Sequence, residues 1–209
     1  MSKEHIMSIT TQTPETATQV PEAATLTQHP AVRILVLAFA DDAVVRWFWP
    51  DAGRYLDHFP EAAALFGTAA FAAGTADRSP DDTGAALWVP PNSPSDDDAA
   101  ADLVARSVDA DRLDAVFGLL SQMDEFHPTQ PHWYLPLIGV DPRHRGKGVG
   151  SGLLRSALAR VDADGMGAYL EATSPRNRAL YERHGFVVQG EIQSADSPPL
   201  WPMWRAART

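Results

Sequence analysis

The feature that most narrows the folds open to this chain lies in its second half. There an apolar run ending at Val140 gives way to Asp141-Pro142-Arg143-His144-Arg145-Gly146-Lys147-Gly148-Val149-Gly150-Ser151-Gly152-Leu153-Leu154. His132 to Val140 reads as a strand, and the apolar spacing from about Gly150 to Val161 reads as an amphipathic helix. Glycines at 146, 148 and 150 leave successive backbone N–H groups uncovered in a turn that opens directly into the helix. An N-terminal helix end already presents unpaired N–H groups and a positive dipole end, so such a turn is a cradle for an anion such as pyrophosphate.

Register separates the phosphate-binding turns. A Walker loop needs Gly-Lys followed by Ser or Thr, whereas Lys147 is followed by Gly148. A dinucleotide fingerprint needs Gly-x-Gly-x-x-Gly; counted from Gly146 its last position is Ser151, and from Gly148 it is Leu153. Neither fits. Arg143, Arg145 and Lys147 form the one dense basic cluster in a chain whose 17 Lys and Arg face 27 Asp and Glu, a net charge of −10. That balance has the wrong sign for a protein that binds nucleic-acid backbones, while a local basic spot suits one phosphate-bearing ligand.

The chain of 209 residues is long enough for one domain and an arm, at ~150 residues per domain. Its 44% apolar content supports a packed core. The absence of cysteine excludes disulfides, thiolate metal sites and a thiol nucleophile, and agrees with a reducing, cytoplasmic setting. The longest apolar stretch, Ile34 to Ala40, is far short of the ~20 residues that span a bilayer, so a soluble protein is expected.

Residues 1–22, rich in Thr, Pro and Glu, are read as a disordered arm, with Met7 an alternative start. The arm lacks the basic and apolar regions of a signal peptide, and Glu4, Glu15 and Glu22 argue against a transit peptide. The domain then occupies 23–209. Ala23 to Thr27 reads as a first strand. Helical spacing follows from Pro30 to the Asp41-Asp42 pair and again from Leu56 to Ala70, where Pro60 is expected to kink the helix or open a new one. Trp47-Phe48-Trp49-Pro50 reads first as core packing and second as the wall of a substrate pocket. Gly84 to Val89 is a buried strand; Asp96-Asp97-Asp98 suits a solvated helix N-terminus; Leu113 to Phe126 is an amphipathic helix. Strands are expected at Ala168 to Ala172, Phe186 to Ile192 and Leu200 to Arg205, with a short helix from Pro175 to His184. Ser174 is a good N-cap for that helix, Pro175 fits its first position, and Gly185 suits the left-handed position beyond its end.

Arg145, Gly148 and Gly150 give Arg-x-x-Gly-x-Gly after a strand ending Gly-Val-Asp-Pro, and this resembles the coenzyme A pyrophosphate loop of the GCN5-related N-acetyltransferases (GNAT). The segment from Tyr169 to Phe186 resembles the second half of the same cofactor site. Pro131-His132-Trp133-Tyr134-Leu135 and Leu37 to Asp42 are similar to puromycin N-acetyltransferase and its relatives. The resemblance implies an α+β fold, a twisted mixed sheet flanked by helices, with acetyl-CoA between two splayed neighbouring strands. One departure is Pro136 inside the cofactor strand, which removes a ladder N–H and implies a bulge or an edge there.

The resemblance further implies that backbone groups around Leu137, Ile138 and Val140 hold the pantetheine arm, and that Arg145, Gly146, Lys147, Gly148, Val149, Gly150 and Ser151 hold the pyrophosphate. Asn177, one helical turn from Tyr181, serves the cofactor, and Tyr181 protonates the departing thiolate. Glu171, a carboxylate amid an apolar strand, is the first candidate for general base or else a buried hydrogen-bonded group; His132 and Glu125 rank behind it. His127 and His132 lack further ligands for a metal site, so none is expected. The implied acceptor is a small-molecule amine of aminoacyl or aminonucleoside type, with Asp41, Asp42 and Trp47 to Trp49 near its pocket and antibiotic detoxification one role. A protein or peptide amine, and a non-catalytic acetyl-CoA sensor, stay open, as does monomer or homodimer. No nucleic-acid or membrane partner is expected.

Overall fold

The computed structural model describes residues 23–208, so the arm at 1–22 and Met7 lie outside the described residues. Six strands form one sheet: β1 (Ala76–Arg78), β2 (Gly84–Val89), β3 (His132–Val140), β4 (Gly167–Ala172), β5 (Val187–Val188) and β6 (Trp201–Arg205), in the order β1-β2-β3-β4-β6-β5. Only β3 and β4 run parallel; the other pairs are antiparallel. Eight helices flank the sheet: α1 (Ala23–Leu26), α2 (Pro30–Ala38), α3 (Ala43–Phe48), α4 (Ala52–Ala73), α5 (Asp97–Ser107), α6 (Leu113–Phe126), α7 (Val149–Ala163) and α8 (Pro175–Arg183). This is the mixed α+β architecture expected from the sequence. No helix among the described residues is long and apolar enough to cross a membrane.

Most elements form where local signals place them. Asp96 caps α5 by accepting from the Ala99 amide, with Asp97 and Asp98 in the first turn, as the acidic run implies. Ala23 to Leu26 is helical and not a strand; with His29 capping the next helix and Pro30 opening it, the segment is a short turn of helix leading into α2. Helix α4 runs through Pro60 without a break. The carbonyl that Pro60 leaves unpaired belongs to the exposed Leu56, where water can satisfy it. The expected strand from Phe186 to Ile192 shrinks to Val187–Val188, rejoining the sheet only at the Ile192–Leu200 bridge. Between them is Gly190, where a Cβ would lie 2.7 Å from the Phe126 ring, so α6 packs directly on the backbone where it leaves the ladder. Strand β1, three residues long, is too short for a periodic signal.

Three buried clusters show which face each strand residue takes. Trp133, Leu135, Ala168, Leu170 and Ala172 pack with Leu153, Leu154 and Tyr181 of α7 and α8. Leu87 and Leu137 pack with α2 and α4 on the other face, where Val116 and Leu119 of α6 join Val44 and Trp47 of α3 in a third cluster. Leu135 and Leu137 thus face opposite ways although two residues apart. The cause is a bulge: Leu87 pairs with Leu137 but Val89 with Tyr134, so three steps on β3 match two on β2. Pro136 lies inside that extra step, which absorbs its missing donor, and the slip turns every later side chain over. Here the proline takes the bulge that its chemistry requires.

Past the bulge, α2 rides close over β3. A Cβ at Gly139 would collide with the Ala38 Cβ and sit 3.3 Å from Leu35 and Phe39. Gly139→Ala is therefore expected to cost about 1–3 kcal/mol through overpacking, read as a drop in Tm of roughly 2–10 °C by thermal unfolding.

Candidate functional site

The ladder between β3 and β4 covers only His132–Tyr134 against Gly167–Tyr169. Beyond it the two strands part. The Asp141 amide donates to the Thr83 carbonyl at 2.8 Å, on the β2 side. By strand alternation the amides of Gly139 and Leu137 also face β2, and those of Ile138 and Val140 face the gap that β4 has left. A cleft of about 500 Å³ fills this gap, walled by Ile138 to Val140, by the turn and start of α7, by Thr173 to Tyr181 and by Ala38 to Ala43.

The glycine turn closes one end. Gly146 and Gly148 adopt φ of +79° and +83°, which L side chains rarely tolerate, and a Cβ on either would meet nothing within 4 Å. Gly148 is the N-cap of α7 and offers no side-chain acceptor, so the amides of Val149, Gly150 and Ser151 remain the unsatisfied first turn of a helix. The Ser151 hydroxyl is held by His184 Nε2 at 2.7 Å and by Arg155 at 3.0 Å, away from that duty. The residues present fit a pyrophosphate: bare amides, a positive helix end and no side chain in the way.

Two of the three basic residues of the turn are already engaged. Arg143 forks onto Asp141, and the guanidinium holds that carboxyl down at about 2. Arg145 makes two 2.8 Å bonds to Asp41 and a third, at 2.6 Å, to the Ala38 carbonyl. Lys147 is exposed and has no partner among the described residues. The cations that do line the cleft are Arg145 with Arg176 and Arg183 of α8. The last two were missed in the sequence, although their spacing from Leu180, four before and three after, puts all three on one helical face.

Helix α8 forms as its signals predict. Ser174 caps it by accepting from the Asn177 amide at 3.2 Å, and Gly185 takes φ +90° beyond its end. Asn177 and Tyr181 both line the cleft. Tyr181 is 5% exposed; burial, and then the charge of Asp42, hold its hydroxyl well above the usual phenol range, so it stays protonated at neutral pH. Asp42 itself accepts from Thr173 at 2.7 Å and caps α3 through the amides of Val44 and Val45. Burial outweighs those bonds and raises its carboxyl.

Glu171 lies on the opposite face of β4 from Leu170, Ala172 and Tyr181, on the side where α6 packs. Tyr134 donates to its Oε2 at 3.0 Å, and Tyr169 neighbours it. Its Oε1 is shut off from solvent with no partner, as are Tyr169 OH and His132 Nε2. His127, at the end of α6, meets the Tyr134 and Tyr169 rings edge-on at 4.8 and 5.0 Å and His132 at 5.0 Å. Burial in this ring-lined place, partly offset by the hydrogen bond from Tyr134, lifts the Glu171 carboxyl to about 7.

Of the residues singled out in the sequence, Ile138, Val140, Arg145, Gly146, Gly148, Val149, Gly150, Ser151, Asn177 and Tyr181 come together around the cleft. Leu137 points into the α2 and α4 core, and Lys147 and Glu171 stand outside the cleft wall. His132 packs against the rings of His127 and Tyr169 and has no contact with Glu171, whereas Glu125 is exposed on α6. Trp47 and Trp49 are core residues, their indoles bonded to Asp196 and Ser107.

The chain's similarities agree with this geometry. The model described as acetyltransferase (GNAT) family matches residues 96–186. A Corynebacterium glutamicum structure described as histone acetyltransferase HPA2 and related acetyltransferase is 30% identical, covers 86% of this chain and 90% of its own, and superposes with a TM-score of 0.59. The Drosophila melanogaster polyamine N-acetyltransferase, 15% identical over 89% of this chain and 97% of its own, shares the fold with a TM-score of 0.60. An uncharacterised N-acetyltransferase of Schizosaccharomyces pombe is 38% identical over 60 residues, which span 29% of this chain and 24% of that protein.

Gly148 offers the clearest test of the cradle. Gly148→Val places a β-branched residue at positive φ in the turn, and calorimetry is expected to show coenzyme A affinity at least ~10-fold lower, with circular dichroism unchanged.

Proposed function

The chain belongs to the acetyltransferase (GNAT) family, and on that premise we propose that it transfers an acetyl group directly from acetyl-CoA to the primary amine of a small molecule. Acetyl-CoA is the co-substrate of this family and supplies the activated acyl thioester. The observation that carries the reading is the placement of Tyr181 and Glu171 on opposite faces of β4, beside the gap between β3 and β4. Donor and acceptor can then meet in the gap, one from the α7 and α8 side and one from the α6 side.

Each group suits one duty. The amides of Ile138 and Val140 face the gap and can donate to a carbonyl oxygen as it gains charge. Tyr181, kept protonated by burial, can give its proton to a departing thiolate. Glu171, lifted to about 7 and with Oε1 unpartnered, can take a proton from an ammonium group near neutral pH. No covalent intermediate on the protein is needed.

A small amine is favoured because the Glu171 carboxyl is buried beside Tyr134 and Tyr169, with His127 packed edge-on against both rings. A buried carboxylate calls for a paired cation, and the place is enclosed where a polypeptide would need an open groove. Aminonucleoside and aminoacyl amines of the puromycin kind, and polyamines, are the first acceptors to try. The name of the Corynebacterium relative points to a protein acceptor, so a lysine peptide belongs in the same panel.

The test is thiol release from acetyl-CoA across that panel, with a low background because the protein has no cysteine. Turnover on a small amine is expected; turnover on the peptide alone, or binding of acetyl-CoA without turnover on any acceptor, would overturn the reading. Tyr181→Phe should lower kcat about 100-fold with coenzyme A affinity retained.

Glu171 adds a pH signature. The rate should climb through pH about 7 as its carboxyl ionises, and Glu171→Gln should remove that limb. The same group links to stability with a definite sign. Its folded value lies above its ordinary 4.5, so the native state holds the proton more tightly. Its stabilising contribution is full below 4.5 and disappears as pH rises through about 7. The Tm advantage of Glu171→Gln over the wild type should therefore widen between those limits and then level off.

A further inference from the structure

The two aspartates at the α2–α3 corner reach in different directions. Asp41 receives both arms of Arg145, which follows β3, with both bonds at 2.8 Å, and the same guanidinium binds the Ala38 carbonyl. Asp42 receives the Thr173 hydroxyl, which follows β4, at 2.7 Å. The anchors lie 104 and 131 residues away from the corner, on the two strand ends that have separated. The corner is itself fixed, since the Asp42 amide bonds to the Phe39 carbonyl at 3.0 Å and the other Asp42 oxygen caps α3. One peptide link therefore joins the far ends of β3 and β4, where no ladder does.

We infer that the Asp41-Asp42 corner is a strap across the mouth of the cleft that fixes the separation of the glycine turn from α8, making Asp41, Arg145 and Thr173 positioning residues. The geometry gives the reason for each residue type. A guanidinium forked on a carboxylate fixes direction as well as distance, which an ammonium cannot do. The Arg145 guanidinium, committed to Asp41 and Ala38, braces the turn while the turn's own amides face the cleft. Thr173 stands immediately before Ser174, the cap of the helix that carries Tyr181. A strap anchored there holds Tyr181 at a set distance from the gap-facing amides of β3. Its effect on rate rests on the acetyl-transfer reading; its effect on geometry does not.

A strap acts in series, so loss of either anchor frees the whole span, and loss of the second adds little. Two local hydrogen bonds that merely stabilise their own surroundings would instead act independently. The cysteine-free chain allows nitroxide labels at introduced cysteines in place of Lys147, on the turn, and Ala179, on the exposed side of α8. The distance distribution between them is expected to be narrow in the parent and in Thr173→Ser, which keeps the hydroxyl. It should be broader in Thr173→Val and in Asp41→Asn, and no broader in the double variant than in either alone. Unlabelled Thr173→Val should lose about 10- to 100-fold in kcat through misplacement, with coenzyme A affinity changed far less. An unchanged distribution in folded Thr173→Val, or broadening that adds in the double variant, overturns the strap. Broadening without an effect on turnover leaves the strap standing and refutes its link to acetyl transfer.

Discussion

Everything that distinguishes this sheet depends on two neighbouring parallel strands that stop pairing after three residues. A parallel ladder left unfinished in a protein interior strands backbone N–H and C=O groups, each worth roughly 1–3 kcal/mol if left unsatisfied. The chain offsets that cost in three ways. Pro136, in the bulge of the β2–β3 pairing, is a residue without a donor just past the last β3–β4 pair at Tyr134. The corner at Asp41 and Asp42 ties the free ends to one another. The amides of Ile138 and Val140 are left facing a cleft where a ligand can use them. An opening that would be a defect in an ordinary sheet becomes the place with free donors.

The electrostatics follow from the same opening. Burial beside the gap lifts three groups, Asp42, Glu171 and Tyr181, toward their neutral forms, while the exposed turn keeps Asp141 low through its arginine. A protein of net charge −10 thus presents amides and α8 arginines at one end of the cleft and a near-neutral carboxyl beyond the other side of β4. The sign of the whole chain says little about the sign at the site, because at physiological salt the field of exposed charges fades within about 8 Å.

What could be read from the sequence was mostly local. The glycine turn, the Ser174-Pro175 start and Gly185 end of α8, and the Asp96 cap all depend on neighbours within a few residues, and each appears in place. Pro136 announced a bulge without revealing that it would reverse the faces of Leu135 and Leu137. The contacts that sequence spacing could not reach are long-range: Asp41 with Arg145, Asp42 with Thr173, Tyr134 with Glu171, and the His127 ring against the two tyrosines of β3 and β4. The close packing of Phe126, far back in the chain, on Gly190 just past the truncated β5 belongs with them.

The placement of Tyr181 and Glu171 on either side of one strand has a consequence for traffic. The cofactor's side of the strand is an open cleft, whereas Glu171 on the other side is closed off from solvent. On the proposed reading the two reactants therefore meet different resistance. The cofactor finds its seat ready, and the amine must part packed rings to reach its own.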